Sequence, residues 1–295
     1  MRRRDLIAIF AACTPSIGAP RKVPLPLRSR VEAYRGSGVF REVTVNEEID
    51  PAASAIILCD MWNSHWCKGA VDRVNQMVGR FNPFLKSARS AGMLIVHAPS
   101  DTMEFYKDAP QRQKALSTPK VATPQPLALS DPALPVDSSD GGCDTPDKFY
   151  KAWSRQHRAI TIEPQDIITD KGDEVYTQLK LRNIQHLFVA GVHTNMCILN
   201  RTFAIKQMTK WGVRCILVRD LTDAMYDPQD APRVSHDQGT QLRDRAHREV
   251  LVSERAERAT RGGLGKFVEA SGPVCSPCVV ALQSNQATNG QSRRN

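Results

Sequence analysis

The chain has 295 residues, of which 41% are hydrophobic and 24% are charged, and its mean hydropathy is −0.38. This composition is typical of a soluble globular protein, and the length is enough for one large or two small domains. The formal net charge is +9, and the segment after Thr240 holds eight arginines and one lysine against five acidic residues. No basic face with interleaved aromatic residues is visible, so the sequence argues against a nucleic-acid partner.

The N-terminus has the pattern of an export signal. The arginine-rich segment 1–5 precedes the short apolar run Leu6–Ala12, and Ile17–Ala19 would serve as a cleavage site. The adjacent arginines resemble a twin-arginine signal, and Phe10–Cys13 loosely resembles a lipoprotein box. An uncleaved basic N-terminus is the alternative, so cytoplasmic and exported locations both stay open. The apolar run is too short to span a membrane, so stable insertion is not expected.

The following segment is predicted to be a linker and then a hairpin. Residues 20–30 are rich in proline and basic side chains, which is typical of a linker. In Arg30–Val45, apolar residues flank Gly36–Gly38, which favours a β-hairpin.

The rest of the chain alternates between predicted strands and helices, identified from short apolar runs and from helical spacing. The predicted strands are Ala55–Cys59, Met93–His97, Ala159–Ile162, His186–Ala190 and Val213–Val218. The predicted helices are Val71–Ala91, which Pro83 should kink or divide, Lys171–Leu181 and Cys197–Trp211. Residues 108–147 lack any period and are predicted to form a long loop.

This alternation predicts an α/β fold with a mainly parallel sheet covered by helices on both faces. We expect a folded domain over residues 31–240, preceded by a signal and linker at 1–30 and followed by a basic, poorly ordered tail at 241–295. In such folds, functional side chains gather beyond the carboxyl ends of the strands. Asp60, His97, Cys197 and Asp220 all lie at or just after predicted strand ends.

Cys197 is the strongest candidate for a catalytic residue. The apolar run that starts at Leu187 ends in Gly191, and Cys197 follows where a helical pattern begins. Unpaired N–H groups and the dipole at a helix N-terminus favour a thiolate, and the same groups can hold an oxyanion. The alternative is an inert thiol buried in the core.

Leu58–Asp60, Gly191–Cys197 and Val218–Asp220 together resemble the isochorismatase-like cysteine hydrolase superfamily, which includes nicotinamidases and N-carbamoylsarcosine amidases. The resemblance implies a three-layer αβα fold and a Cys–Asp–Lys triad. Carried over by position, Cys197 would be the nucleophile and Asp60 the general base. A cis peptide bond is implied between Val192 and His193, which would turn backbone N–H groups of His193 and Cys197 toward the oxyanion.

The family lysine has no counterpart in this sequence at the expected place. It normally lies at the end of the strand before the helix around Leu179. The corresponding segment here, residues 159–166, contains no lysine, and Glu163 or Gln165 falls near the expected place. A lysine from a loop is one alternative, with Lys148, Lys151 and Lys171 as candidates. Another alternative is that a histidine such as His193, or a metal ion, stabilises the thiolate and the oxyanion in place of the lysine.

Further residues are assigned from their place beside these motifs. Trp62, Trp66, Thr194 and Asn195 are expected to contact substrate, as is the side chain of His193. The aromatic residues near the motifs would form a wall for a planar substrate, or would simply anchor loops. His65 and His97, near Asp60, are candidate ligands for a divalent zinc, manganese or iron ion, as in some nicotinamidases. The alternative is that these histidines are hydrogen-bonded polar residues that line the pocket. The expected reaction requires no cofactor.

Two functions follow from the sequence. The first is a cysteine hydrolase that cleaves a C–N bond of a small amide through a thioester. The second is a member of the family that lost its lysine and serves as a binding or assembly protein. By analogy with relatives, a homo-oligomer is expected. Cys67 and Cys143 lie in polar, loop-like segments and would pair if the protein is exported.

Overall fold

The computed structural model describes residues 22–34, 37–129 and 134–245. The predicted export signal and the chain beyond residue 245 lie outside these ranges. Within them the strands are β1 (Val23–Glu32), β2 (Phe40–Ile49), β3 (Ser54–Cys59), β4 (Leu94–Ala98), β5 (Ile167–Ile168), β6 (His186–Val192) and β7 (Arg214–Asp223). The helices are α1 (Lys68–Val78), α2 (Phe81–Ser90), α3 (Pro110–Ser117), α4 (Gly172–Leu181), α5 (Cys197–Asn200) and α6 (Ile205–Lys210), and residues 236–245 are also helical.

Five parallel strands form the central sheet, in the order β5-β4-β3-β6-β7. The central strand β3 is buried along its whole length. Its side chains alternate between two cores: Ile57 packs on the side of α4 and α6, and Ile56 packs on the side of α1 and α2. This is the predicted three-layer αβα arrangement, and it explains why the strands consist of nearly continuous apolar runs.

The prediction of a linker at residues 20–30 was wrong over its described part. Residues 23–32 form β1, which pairs antiparallel with β2. Proline is tolerated in a strand at a sheet edge, where its missing N–H faces away from the partner. The predicted hairpin is therefore present and begins earlier in the chain.

The predicted strand Ala159–Ile162 was also wrong. The strand that joins β4 is the two-residue β5, Ile167–Ile168. Ile160 is buried in the α1–α2 core, so its apolar signal reports packing. The flanking backbone is satisfied by a side chain, because Asn82 accepts from Thr161 N (2.9 Å) and donates to Ala159 O (2.6 Å).

Two predicted helices are divided. The first breaks between α1 and α2 at Gly79 and Arg80, which leaves Pro83 in the first turn of α2, where proline is tolerated. The second breaks at Arg201, which has the extended conformation φ −60°, ψ 150° between α5 and α6.

The last strand, β7, runs five residues past its predicted end and is irregular where it passes Gly191. Asp220 is therefore exposed within the strand, and Asp223 takes the expected place at its end. The Asp223 carboxylate is buried, with Arg73 Nε at 2.9 Å and His236 Nε2 at 2.8 Å.

Cys67 and Cys143 form a disulfide that ties the long loop to the start of α1. The loop also caps this helix, since Lys68 N donates to Asp147 Oδ2 (2.8 Å) and Gly69 N donates to Thr145 Oγ1 (3.3 Å). Orphan N–H groups of the first helical turn are thus satisfied by a distant part of the chain. None of the helices in the described residues is both long and apolar enough to cross a membrane.

Replacing the paired cysteines, as Cys67→Ser with Cys143→Ser, should lower the free energy of unfolding by about 2–4 kcal/mol, because the bond closes a long loop in the unfolded chain. Denaturant unfolding measures the change. Wild-type protein in excess reductant should match the variant, and equal stability of oxidised and reduced wild type would contradict the bond.

Candidate active site

Asp60 lies at the carboxyl end of β3 with its side chain completely buried. Its φ of +47° turns the chain sharply out of the sheet. Oδ1 accepts from Ser100 N at 2.7 Å, at the end of the neighbouring strand β4. A buried carboxylate is costly unless it is hydrogen-bonded and paired, and the remaining oxygen supplies the pairing.

Arg201 is the cation that pairs with Asp60. Its Nε lies 2.9 Å from Asp60 Oδ2, and its Nη2 lies 3.4 Å from Asp101 Oδ2. Its guanidinium carbon lies 5.9 Å from the ring centroid of Trp62, which favours the positive charge there. The break after α5 gives this residue its extended backbone and separates it from the helical turn that begins at Cys197.

Cys197 is the first residue of α5 and is partly buried. Its thiol lies near the Asp60 carboxylate and the backbone N–H of His193, which shift its pKa in opposite directions. The peptide bond between Val192 and His193 is cis, as the resemblance implies. Just before it, Gly191 has φ +113°, and a Cβ there would lie 2.1 Å from Cys59 O, so only glycine allows β6 this close to β3.

The expected thiolate is not favoured in the resting site. Burial raises the pKa of Cys197, the Asp60 charge raises it further, and Arg201 and the His193 N–H only partly offset them. Because α5 has four residues, its dipole is short. Burial also raises the pKa of Asp60 from its ordinary value, while Arg201 and Cys197 act in the opposite direction. The resting pair is therefore a neutral thiol beside a carboxylate that is ready to take its proton.

His193 is almost completely buried, and its Nε2 has no hydrogen-bond partner in the described structure. Burial lowers the pKa of its imidazole to about 3, with nearby His65 as a second cause. Burial followed by the charge of Arg73 likewise lowers the pKa of His65 to about 4. Because both pKa values are lowered, both imidazoles are neutral at physiological pH. The two rings meet edge to face, with centroids 5.2 Å apart.

An aromatic stack stands next to these histidines. Trp62 and Trp153 stack with centroids 4.3 Å apart, and His65 stacks on Trp153 at 5.7 Å. Asp60, Trp62, His65 and His193 border an open pocket of about 20 Å³. Cys197 is not among its lining residues, so the pocket adjoins the reacting groups and does not contain the sulfur.

The other predicted substrate residues have structural partners. Asn195 bonds to the backbone of Met225 on both sides, with its Nδ2 2.7 Å from Met225 O and its Oδ1 2.8 Å from Met225 N. Thr194 is buried, and its N–H donates to Asp223 O at 2.8 Å. Trp66 meets Phe149 edge to face at 5.8 Å, outside the pocket lining. The Asn195 amide is therefore used to hold the turn before Cys197.

The residues near Asp60 do not fit a divalent metal ion. Both ring nitrogens of His97 have protein partners, Gln156 Oε1 at 2.9 Å and Asp166 Oδ2 at 3.0 Å. His65 Nδ1 accepts from Cys67 N at 3.2 Å. In the described ranges, a convergent set of three ligand atoms occurs at Cys67, Cys143 and Asp144, two of which form the disulfide.

The cation that pairs with Asp60 is Arg201, which was not among the residues predicted to replace the family lysine. Glu163 is fixed through its backbone, which donates to Asp166 Oδ2 and accepts from Gln111, and it does not line the pocket. The strand before α4 is followed by residues 169–171, where Lys171 is largely exposed and pairs with Asp170 at 3.2 Å. Arg201 was missed because the apolar spacing from Cys197 to Trp211 indicated one unbroken helix.

The comparisons with known proteins agree with this fold. The isochorismatase domain model matches residues 54–232, which is more than half of the chain. The chain therefore belongs to the isochorismatase-like superfamily of hydrolases. No curated protein matches its sequence.

Solved structures of the same family resemble it distantly. A cysteine hydrolase from Pseudomonas syringae has 19% identity and a TM-score of 0.41, covering 66% of this chain and 84% of that one. An isochorismatase family protein from Burkholderia thailandensis has 15% identity and a TM-score of 0.36, covering 65% and 85%. An isochorismatase from Pseudomonas putida has 13% identity and a TM-score of 0.37, covering 65% and 81%.

Replacing His193 by phenylalanine should make the free energy of unfolding depend less on pH in the acidic range. The unfolded imidazole takes a proton below pH 6.5, whereas the folded one stays neutral until about pH 3, so wild-type stability falls as pH drops through that window. Between pH 7 and pH 4.5, the variant should lose about 2–3 kcal/mol less than wild type. Urea unfolding at both pH values tests this, and the partly exposed His157→Phe is the control. Identical slopes for wild type and His193→Phe would contradict the buried neutral imidazole.

Proposed function

We propose that the protein is a cysteine hydrolase that cleaves the C–N bond of a small amide through a thioester on Cys197. The observation that supports it most directly is the surroundings of the buried Asp60 carboxylate. It accepts from Ser100 N–H and Arg201 Nε, and it lies close enough to the Cys197 thiol for each to shift the pKa of the other. A base, a nucleophile and a fixed cation held close together are the parts that nucleophilic acyl transfer requires.

In the first half of the reaction, Cys197 Sγ attacks the carbonyl carbon while Asp60 takes the thiol proton. The developing oxyanion would be held by the backbone N–H groups of His193 and Cys197. When the C–N bond breaks, protonated Asp60 gives its proton to the leaving amine, and the acyl group stays on sulfur. The raised pKa of Asp60 suits this exchange, because a general acid–base works best when its pKa is nearer to the working pH.

In the second half, water attacks the thioester carbon and Asp60 takes a proton from that water. Collapse of the tetrahedral intermediate breaks the C–S bond, releases the carboxylic acid and returns the proton to Cys197. Each proton that Asp60 accepts is thus passed on within the same turnover.

Arg201 supplies the positive charge that the family places on a lysine. It contacts Asp60 directly, and its charge favours the ionised states of both Asp60 and Cys197. The non-catalytic alternative was suggested by the missing lysine. Because Arg201 supplies a positive charge at the same carboxylate, it favours an enzyme over that alternative. The adjoining pocket is lined by the rings of Trp62, His65 and His193, which would contact a planar substrate.

Cys197→Ala should abolish turnover, with a loss of at least about 10³-fold, because no other described group can form the thioester. Ammonia release from a panel of small amides measures it, and p-nitrophenyl acetate provides an acylating probe whose adduct is located by peptide mass spectrometry. Cys215→Ala is the matched control, since Cys215 is a cysteine buried in the core near the opposite end of the sheet. Ammonia release by Cys197→Ala at the wild-type rate would end the proposal.

Arg201→Gln should reduce kcat/KM by about 10²-fold, the usual cost of one electrostatic contact to reacting groups. It should also move the acid limb of the pH–rate profile to higher pH, since Arg201 lowers the pKa of Asp60 and activity needs the ionised carboxylate. Arg201→Lys should restore part of the rate, and the exposed Arg158→Gln should change neither quantity. An unmoved acid limb would show that Arg201 has only a structural role.

A further inference from the structure

We propose that Asp223 is a positioning residue for the proposed reaction, because it holds the turn from His193 to Cys197. In that reaction the backbone N–H groups at the two ends of this turn bind the oxyanion, so the inference rests on the proposed function. Asp223 is only 8% exposed, and neither half of the reaction uses its carboxylate. A buried carboxylate costs free energy unless it is paired, and the pairs that Asp223 makes connect the turn to two helices.

The main chain of Asp223 is bonded to this turn. β6 and β7 run side by side to their ends, where Val192 lies opposite Asp223. Just after that pair, Thr194 N donates to Asp223 O at 2.8 Å. Two residues beyond Asp223, the backbone of Met225 bonds to the Asn195 side chain through both its N–H and its C=O. Three hydrogen bonds therefore tie two consecutive residues of the turn to the segment that begins at Asp223.

The side chain of Asp223 fixes this segment in place. Its Oδ2 lies 2.9 Å from Arg73 Nε on α1, and its Oδ1 lies 2.8 Å from His236 Nε2 on the last helix. The other ring nitrogen of His236 lies 2.8 Å from Tyr226 O, which holds the same segment at a second point. Burial would raise the pKa of Asp223, but the hydrogen bond from His236 and the charge of Arg73 hold it below its ordinary value. The carboxylate is therefore ionised and paired through both oxygens.

Arg73 is itself held by the long loop. Its Nη1 donates to Asp144 Oδ2, and Asp144 follows Cys143, which is disulfide-bonded to Cys67 at the start of α1. The guanidinium is thus held from two sides, by Asp144 and by Asp223. Support of this kind matters at an oxyanion site, because groups that act on the transition state must be placed to within about 0.5 Å.

Loss of this carboxylate is expected to affect the transition state more than substrate binding. In Asp223→Asn, a donor nitrogen replaces one acceptor oxygen, so either the bond to Arg73 or the bond to His236 is lost. The N–H groups of the turn bind the substrate oxygen strongly only when it becomes an oxyanion, so a displaced turn costs little in the ground state. The variant should therefore reduce kcat and kcat/KM by the same factor, at least about tenfold, with KM unchanged.

Asp166→Asn is the matched control. Asp166 is also a buried carboxylate that pairs with an arginine and a histidine, since Arg89 Nη2 lies at 2.6 Å and His97 Nε2 at 3.0 Å. It immediately precedes β5, and two strands separate β5 from β6. The control should lower the free energy of unfolding as Asp223→Asn does, but leave kcat and KM at their wild-type values.

Hydrogen exchange followed by peptide mass spectrometry tests the same inference without a substrate. In Asp223→Asn, the peptide that contains residues 193–197 should exchange faster than in wild type, because the bond from Thr194 N is no longer supported; in Asp166→Asn it should not. Unchanged exchange in that peptide would overturn the proposal, as would an unchanged kcat when the wild type is active, or an equal loss of kcat in the control. A wild type that releases no ammonia from any amide would instead contradict the proposed function, and the exchange rates would still decide whether Asp223 holds the turn.

Discussion

The ion pair between Asp60 and Arg201 is the interaction on which the rest of the site depends. A carboxylate with no solvent contact is tolerated because Ser100 N–H and Arg201 Nε occupy its oxygens and offset the cost of burial. The guanidinium is itself held from its other side by Asp101. The sharp turn at Asp60 and the helix break at Arg201 both serve to bring these two charges together beside the sulfur.

The layered fold could be predicted from the sequence because burial on both faces leaves a simple signature. The central strand β3 is apolar throughout, and its predicted bounds differ from the observed ones by one residue. Short elements carry no such signature: β5 has only two residues, and Ile160 imitated a strand while packing against α1 and α2. Because the strand was predicted too early in the chain, the position expected for the cation was also wrong.

At the site, Cys197, Asp60 and the cis bond at His193 could be predicted because they lie in contiguous motifs at strand ends. Arg201 could not, since its role depends on a tertiary contact with a residue 141 positions earlier. The state of the sulfur was also beyond sequence: a helix N-terminus suggests a thiolate, whereas burial and a neighbouring carboxylate decide in favour of the thiol. The aromatic residues were predicted as either wall or anchor. Trp62 serves as an anchor, since its indole N–H donates to Ser100 O at 3.0 Å, and it also borders the pocket.

The break after α5 has an evolutionary consequence. The proposed nucleophile Cys197 and the cation Arg201 are four positions apart on one short piece of chain, so a change in that segment displaces both together. In the proposed mechanism the connection before α4 does not have to deliver a charge. That connection is therefore free to change in length and side chains, and variation there can alter what enters the site while the reacting groups stay in place.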